Sequence, residues 1–204
     1  MNGSAGLRAV ILLAVVVGVI ATSAVFAVLH YNDGDDRVAF VLTDQTGKKT
    51  THNDLAGQHL LVFFGFTSCA AICPAQMSKL SLVTQSLYDI GYQDDVRPVF
   101  ISVDPERDNV ERVASYLENF HEDFIGLTGS RTALKSTATR FKTVLQDVPA
   151  STAAGYQLKH ASLIYVVDPS SRVIDFIPFE ITGEEIVAHV QDILQQERFR
   201  KVIQ

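Results

Sequence analysis

Residues 60–74 read Leu60-Leu61-Val62-Phe63-Phe64-Gly65-Phe66-Thr67-Ser68-Cys69-Ala70-Ala71-Ile72-Cys73-Pro74. The first seven residues form a continuous apolar run, as expected of a strand buried on both faces of a sheet. Both cysteines of the 204-residue chain follow at once. Leu80, Val83, Leu87 and Ile90 then recur at three- and four-residue spacing, which predicts an amphipathic helix over 74–90 closed by Gly91. A buried strand leading through a thiol-bearing loop into a helix is an α/β signature.

The remaining pattern extends it. Val38 to Leu42 reads as a strand, Asp44-Gln45-Thr46-Gly47 as a turn and Lys48 to Thr51 as its return. Val96 to Val103 is a second buried strand, and Val110, Val113, Leu117 and Phe120 mark a helix after it. Phe124 to Leu127 reads as a short strand, followed by a helix with Leu134, Ala138 and Phe141 on its apolar stripe. Ala161 to Val167 and Val173 to Ile177 flank the turn Asp168-Pro169-Ser170-Ser171 as a hairpin. Thr182 and Glu185 form a capping box that opens a final helix with Ile186, Val190, Ile193 and Leu194 inward. Strands alternating with helices imply a parallel core, with the hairpin as an antiparallel edge. The expected product is a three-layer α/β sandwich of thioredoxin-like arrangement, with its chemistry at the carboxyl ends of the core strands.

Ahead of this domain, Ala9 to Leu29 (AVILLAVVVGVIATSAVFAVL) carries no charge. A helical run of about 20 apolar residues spans a hydrocarbon core of roughly 30 Å. The expected organisation is a cytoplasmic tail over 1–8, a transmembrane anchor over 9–29, a polar linker over 30–37 and an exported domain over 38–204. Arg8 before the run, and Asp33, Asp35 and Asp36 after it, orient the tail inward by the positive-inside bias. A cleaved signal peptide is the alternative, since Val25-Phe26-Ala27 has small residues at signal-peptidase spacing. Beyond Arg8, 16 basic side chains stand against 23 acidic ones, and no basic cluster with interleaved aromatics occurs. That excludes the electrostatic footprint of a nucleic-acid binder.

Proline is favoured at the first helical position, so the helix is expected to begin at Pro74, with Cys73 near its N-cap and Cys69 in the loop above. The dipole would then lower the Cys73 thiol pKa. Three residues between the cysteines give two sulfurs room to converge on an ion, or to close as a disulfide. A purely structural disulfide would close a ring of about five residues and add roughly 2 kcal/mol, little for a domain with buried strands to either side. Two thiolates make an incomplete copper site, and an imidazole would complete it. Of the six histidines, His30, His52, His59, His121 and His189 read as boundary or surface residues. His160 immediately precedes an apolar strand at the sheet edge, where pattern alone leaves a ligand role and an ordinary one equally open.

FGFTSCAAICP, followed by ISVDPERD at Ile101 to Asp108, GLTGS at Gly126 to Ser130 and KHASLIYVVDP at Lys159 to Pro169, resembles the Sco/SenC family. The match runs in order from about Val38 to Ile177. Ala70 stands where the family often has Pro, and Lys159 where it often has Asp. The resemblance implies a membrane-tethered, thioredoxin-like protein in which Cys69, Cys73 and His160 bind a copper ion, Cu(I) or Cu(II). It implies a role in building the binuclear copper site of cytochrome c oxidase subunit II or another copper-requiring oxidase. An upstream copper donor and a thiol reductant are further implied partners. The expected location is the inner membrane, single pass, with the domain in the periplasm or an equivalent intermembrane compartment. Asp104 is expected either near the site, in docking, or in the turn and helix start with Asp108.

Two activities fit these residues: copper delivery, and thiol–disulfide exchange in which Cys69 and Cys73 act as the redox pair without metal. A peroxidase is disfavoured, because Thr67 lies two residues before Cys69 and not three.

Overall fold

The structure is a computed structural model that describes residues 18, 22, 36–143, 146–148, 157–159 and 163–203, with backbone alone at 146–148, 157–159 and 201–203. The chain forms two compact units, Met1–Asp36 and Arg37–Gln204. In the first, Gly18 and Thr22 are helical, and Thr22 Oγ1 donates to the Gly18 carbonyl at 2.9 Å. The rest of the apolar run expected to be an anchor lies outside the described residues, and so does His160. Among the described residues no helix is long and apolar enough to cross a membrane.

The second unit is built on a seven-stranded sheet. β1 (Val41–Asp44) and β2 (Lys49–Thr51) form a hairpin, and a 3-10 turn over His52–Leu55 leads to β3 (His59–Gly65). There follow α1 (Ile72–Asp89), β4 (Val96–Ser102), α2 (Val110–Leu117), β5 (Ile125–Thr128) and α3 (Arg131–Arg140). After β6 (Gln146–Val148) and β7 (Gln157–Lys159), the chain ends in β8 (Leu163–Val167), β9 (Val173–Pro178) and α4 (Gly183–Ile203). The sheet order is β2-β1-β5-β4-β3-β8-β9. β3, β4 and β5 run parallel, whereas β1 lies antiparallel to β5 and β8 antiparallel to β3. The parallel core and the antiparallel β8–β9 edge are those the sequence pattern implies, and the antiparallel β1–β2 hairpin adds a second such edge.

β3 is the buried centre: all seven of its residues are shielded from solvent. Adjacent residues of a strand face opposite sides of the sheet. Phe63 meets Phe179 at 5.2 Å and Phe100 at 6.4 Å between ring centroids, and Phe100 in turn meets Tyr116 of α2. Phe64 looks the other way, to Phe141 after α3 and Tyr165 of β8 at 5.1 and 5.5 Å. Helical material therefore covers both faces, as a thioredoxin-like fold requires. On the Phe63 face, Lys79 of α1 donates to the carbonyls of Phe179 and Ile181 at 2.7 and 3.0 Å, fastening the thiol-bearing helix to the turn before α4.

Several local expectations shift. The first strand lies over Val41–Asp44, not 38–42: Val38 is buried, but its N–H bonds the Ser171 carbonyl at 2.7 Å instead of joining a ladder. Gly91 closes α1 with φ 91°, a left-handed conformation that glycine adopts without strain. The capping box of α4 forms: Thr182 N–H donates to Glu185 at 2.7 Å, and Glu185 N–H to Thr182 Oγ1 at 3.2 Å. The small β6–β7 hairpin has no counterpart in the sequence reading, because strands of three residues are too short to display a period.

Candidate metal centre

The two loops that follow β3 and β4 meet at the carboxyl ends of adjacent parallel strands. Val103 N–H bonds the Gly65 carbonyl at 2.9 Å, continuing the strand pairing into the loops. A turn then places Cys69, whose N–H reaches the Phe66 carbonyl at 3.3 Å. α1 begins at Ile72 after an N-cap Ala71 that has no side-chain capping bond. Pro74 is thus the third residue of the helix and not the first. It is tolerated there because first-turn N–H groups have no intrahelical acceptor.

Moving the helix start by two residues reverses the expected thiol roles. Cys73 lies within the first turn and is fully buried, while Cys69 is partly exposed. The Cys73 N–H donates to the Cys69 sulfur at 3.4 Å, so Cys69 supplies the cap that Ala71 cannot. Burial pushes the Cys69 thiol pKa up, but hydrogen bonds from Cys73 and the Ala71 and Ile72 backbones outweigh it and hold Cys69 below its ordinary 9.0. For Cys73 burial prevails and the pKa rises to about 12; a Phe66 backbone hydrogen bond opposes this, while Cys69 and the Asp108 charge add to it. The low-pKa thiol is therefore Cys69, and the expectation that the dipole would lower Cys73 is corrected. Dipole and N–H groups act on whichever sulfur stands beyond the helix end, and that is Cys69.

Neither cysteine is in a disulfide, and Ala70, Ala71 and Ile72 between them are exposed, Ile72 to 60%. The Tyr116 hydroxyl is buried without a hydrogen-bond partner, and burial followed by the charges of Cys73 and Cys69 raises its pKa. Two soft sulfurs of unequal acidity at an open loop suit a soft metal ion, with Cys69 as the readier thiolate. Among the described residues no group of three or more His, Cys, Asp or Glu side chains is arranged to hold a metal. His160, the expected third ligand, lies outside the described residues. The described histidines are engaged elsewhere: His59 is buried 3.0 Å from Glu197, His121 packs on Tyr88, His189 pairs with Asp175, and His52 packs on Phe40.

The β4–α2 loop holds residues whose role the sequence did not resolve. Asp104 is fully buried and pairs with Arg107, so its carboxylate does not present a docking surface. Asp108 does not cap α2; Asn109 does, accepting from Arg112 N–H at 2.9 Å. The fully buried Asp108 reaches across to the thiol loop and accepts from Thr67 N–H at 3.0 Å and Thr67 Oγ1 at 2.6 Å. Nothing in the spacing of Thr67 and Asp108, 41 residues apart, could have announced that contact.

Residues 32–195 match the family described as SCO1/SenC. The chain is 33% identical over 151 residues to the mitochondrial protein SCO1 homolog of Homo sapiens, covering 74% of this chain and 50% of that one. It thus spans about half the length of that human relative. The structure of Arabidopsis thaliana ScoI with copper bound superposes with a TM-score of 0.73 at 32% identity, covering 78% of this chain and 97% of that one. BsSco, a member of the Sco family of cytochrome c oxidase assembly proteins in which a disulfide switch was identified, superposes at 0.63 with 27% identity, covering 76% and 91%. With the motifs in order, the core topology in place and these likenesses spanning most of the Arg37–Gln204 unit, the chain belongs to the SCO1/SenC family.

Proposed function

We propose that this chain is a membrane-tethered copper metallochaperone that delivers its ion to the binuclear copper site of cytochrome c oxidase subunit II, with copper as cargo. Cys69, Cys73 and His160 are the proposed ligands. The observation that carries the reading is the pair of unbridged thiols at an exposed strand-to-helix junction, in a fold shared with a copper-bound relative. Soft thiolates favour Cu(I), and an imidazole extends the set to Cu(II). An open loop lets an acceptor exchange ligands with the site one at a time. The apolar run over 9–29 is the proposed anchor, with its tail cytoplasmic and the domain in the periplasm or equivalent compartment.

A second reading is thiol–disulfide exchange, favoured by the split thiol acidities and by the disulfide switch of BsSco. The Cys69 thiolate attacks a partner disulfide and forms a mixed disulfide as one partner sulfur leaves. Cys73, once deprotonated, then displaces the second. The partner gains two electrons and two protons, and a separate dithiol reductant must reduce the resulting Cys69–Cys73 disulfide.

The test is copper binding by the reduced full-length protein against its Cys69→Ala, Cys73→Ala and His160→Ala variants. Each substitution is expected to weaken binding, with loss of the thiolate-to-Cu(II) charge-transfer band in the cysteine variants. Undiminished affinity in both cysteine variants would sink the copper reading. His160→Ala separates the two activities, because exchange needs only the cysteine pair.

A further inference from the structure

A carboxylate fully buried beside a reactive loop calls for an account of its partners. Asp108 Oδ2 accepts from Thr67 N–H at 3.0 Å and Ser102 Oγ at 2.6 Å, while Oδ1 accepts from Thr67 Oγ1 at 2.6 Å. Two donor chains converge on it. In one, Asp104 N–H donates to Ser102 Oγ at 3.1 Å, and Ser102 donates onward to Asp108. In the other, Arg112 Nε donates to Thr67 Oγ1 at 3.0 Å, and Thr67 donates onward. The backbone of Asp108 is tied as well: its carbonyl accepts from Thr128 Oγ1 at 2.7 Å, and its N–H reaches the Asp104 carbonyl at 2.9 Å. One residue thus joins the ends of β3, β4 and β5.

Both oxygens of the carboxylate are engaged, Oδ1 by the Thr67 hydroxyl and Oδ2 by the Thr67 N–H and the Ser102 hydroxyl. Thr67 is the second residue of the turn over 66–69 that Cys69 N–H closes on Phe66. Anchoring Thr67 at both its N–H and its hydroxyl therefore fixes the turn, and the turn sets Cys69 against the first N–H groups of α1.

We propose that Asp108 is the positioning residue of the thiol loop: acting through Thr67, it fixes Cys69 relative to Cys73 before any ion or partner arrives. The inference deepens the proposed function and rests on that reading for its consequence. A preset pair of sulfurs binds a soft cation without first ordering the loop, and that ordering would otherwise cost affinity.

The test uses Thr67→Val, which keeps the shape and removes the hydroxyl, Thr67→Ser, which keeps the hydroxyl, and Asp108→Asn, which turns one acceptor atom into a donor. Local amide exchange over 66–73 is measured on the copper-free full-length protein, and the charge-transfer band after copper loading. Thr67→Val and Asp108→Asn are expected to speed exchange in the loop by about tenfold or more, as for loss of a hydrogen bond to a charged group. They are also expected to shift the band, and Thr67→Ser is expected to match the parent protein in both readouts. Parent-like loop exchange in Thr67→Val overturns the proposal, as does a change confined to global unfolding. If the parent protein fails to bind copper, the proposed function falls, and the exchange rates still decide the role of Asp108.

Discussion

The backbone N–H of Cys73 points at the sulfur of Cys69 at 3.4 Å, so the more exposed thiol is held by the helix that contains the buried one. The two sulfurs of one motif are chemically distinct because a single helix end lies between them.

Alkylation should reveal that distinction. The thiolate is the nucleophile, and Cys69 lies below its ordinary 9.0 whereas Cys73 is pushed up to about 12. As pH rises, reactivity toward iodoacetamide should first appear below pH 9.0 at Cys69, and at Cys73 only toward pH 12. Cys69→Ser should abolish the early phase and Cys73→Ser should spare it. Mass spectrometry of the labelled peptide is the check, and an early phase on Cys73 would reverse the assignment.

Phe64→Ala should cost about 3–5 kcal/mol, the range for deleting a buried aromatic ring. The ring is 1% exposed and stacks edge-on against Phe141 and Tyr165, so the loss would leave a cavity between β3, β8 and the end of α3. Denaturant unfolding of the Arg37–Gln204 unit measures it. A cost below about 1 kcal/mol would mean that the site collapses to fill the space.

Gly126→Ala tests the packing of β5 on α2. A methyl there would overlap the Leu117 and Val113 side chains, both buried. Overpacking of this kind typically costs about 1–3 kcal/mol. Unfolding should shift accordingly, with partial recovery when Leu117 is shortened to Val in the same chain.

Lys79→Met should release the tether between α1 and the turn before α4. It removes two donated hydrogen bonds, to Phe179 and Ile181, and leaves partly buried carbonyls to find water. A loss of about 1–3 kcal/mol is expected. Amide exchange should rise around 179–182 more than in β3, which a general loss of stability would not produce.

Much of the fold is legible because its signals are local. The apolar run of β3 is long enough to identify a doubly covered strand, Gly91 marks the end of α1, and Thr182 with Glu185 marks the start of α4. The helix starts at Ile72 and not at Pro74 for an equally local reason. Proline is allowed anywhere in the first turn, so Pro74 fixed the helix only to within two residues. That small uncertainty decides which cysteine stands beyond the helix end, and with it the order of their acidities.

The sequence by itself determined the thioredoxin-like class, the two thiols at a strand-to-helix junction and the kinship of the chain, because period, spacing and motif order are properties of neighbouring residues. Only the tertiary structure decided that Cys69 and not Cys73 receives the helix N–H groups, and that Asp108 holds Thr67 across 41 residues of chain. Both outcomes depend on where parallel strands bring separate loops together. Burial and hydrogen-bond direction exist only once the chain has folded.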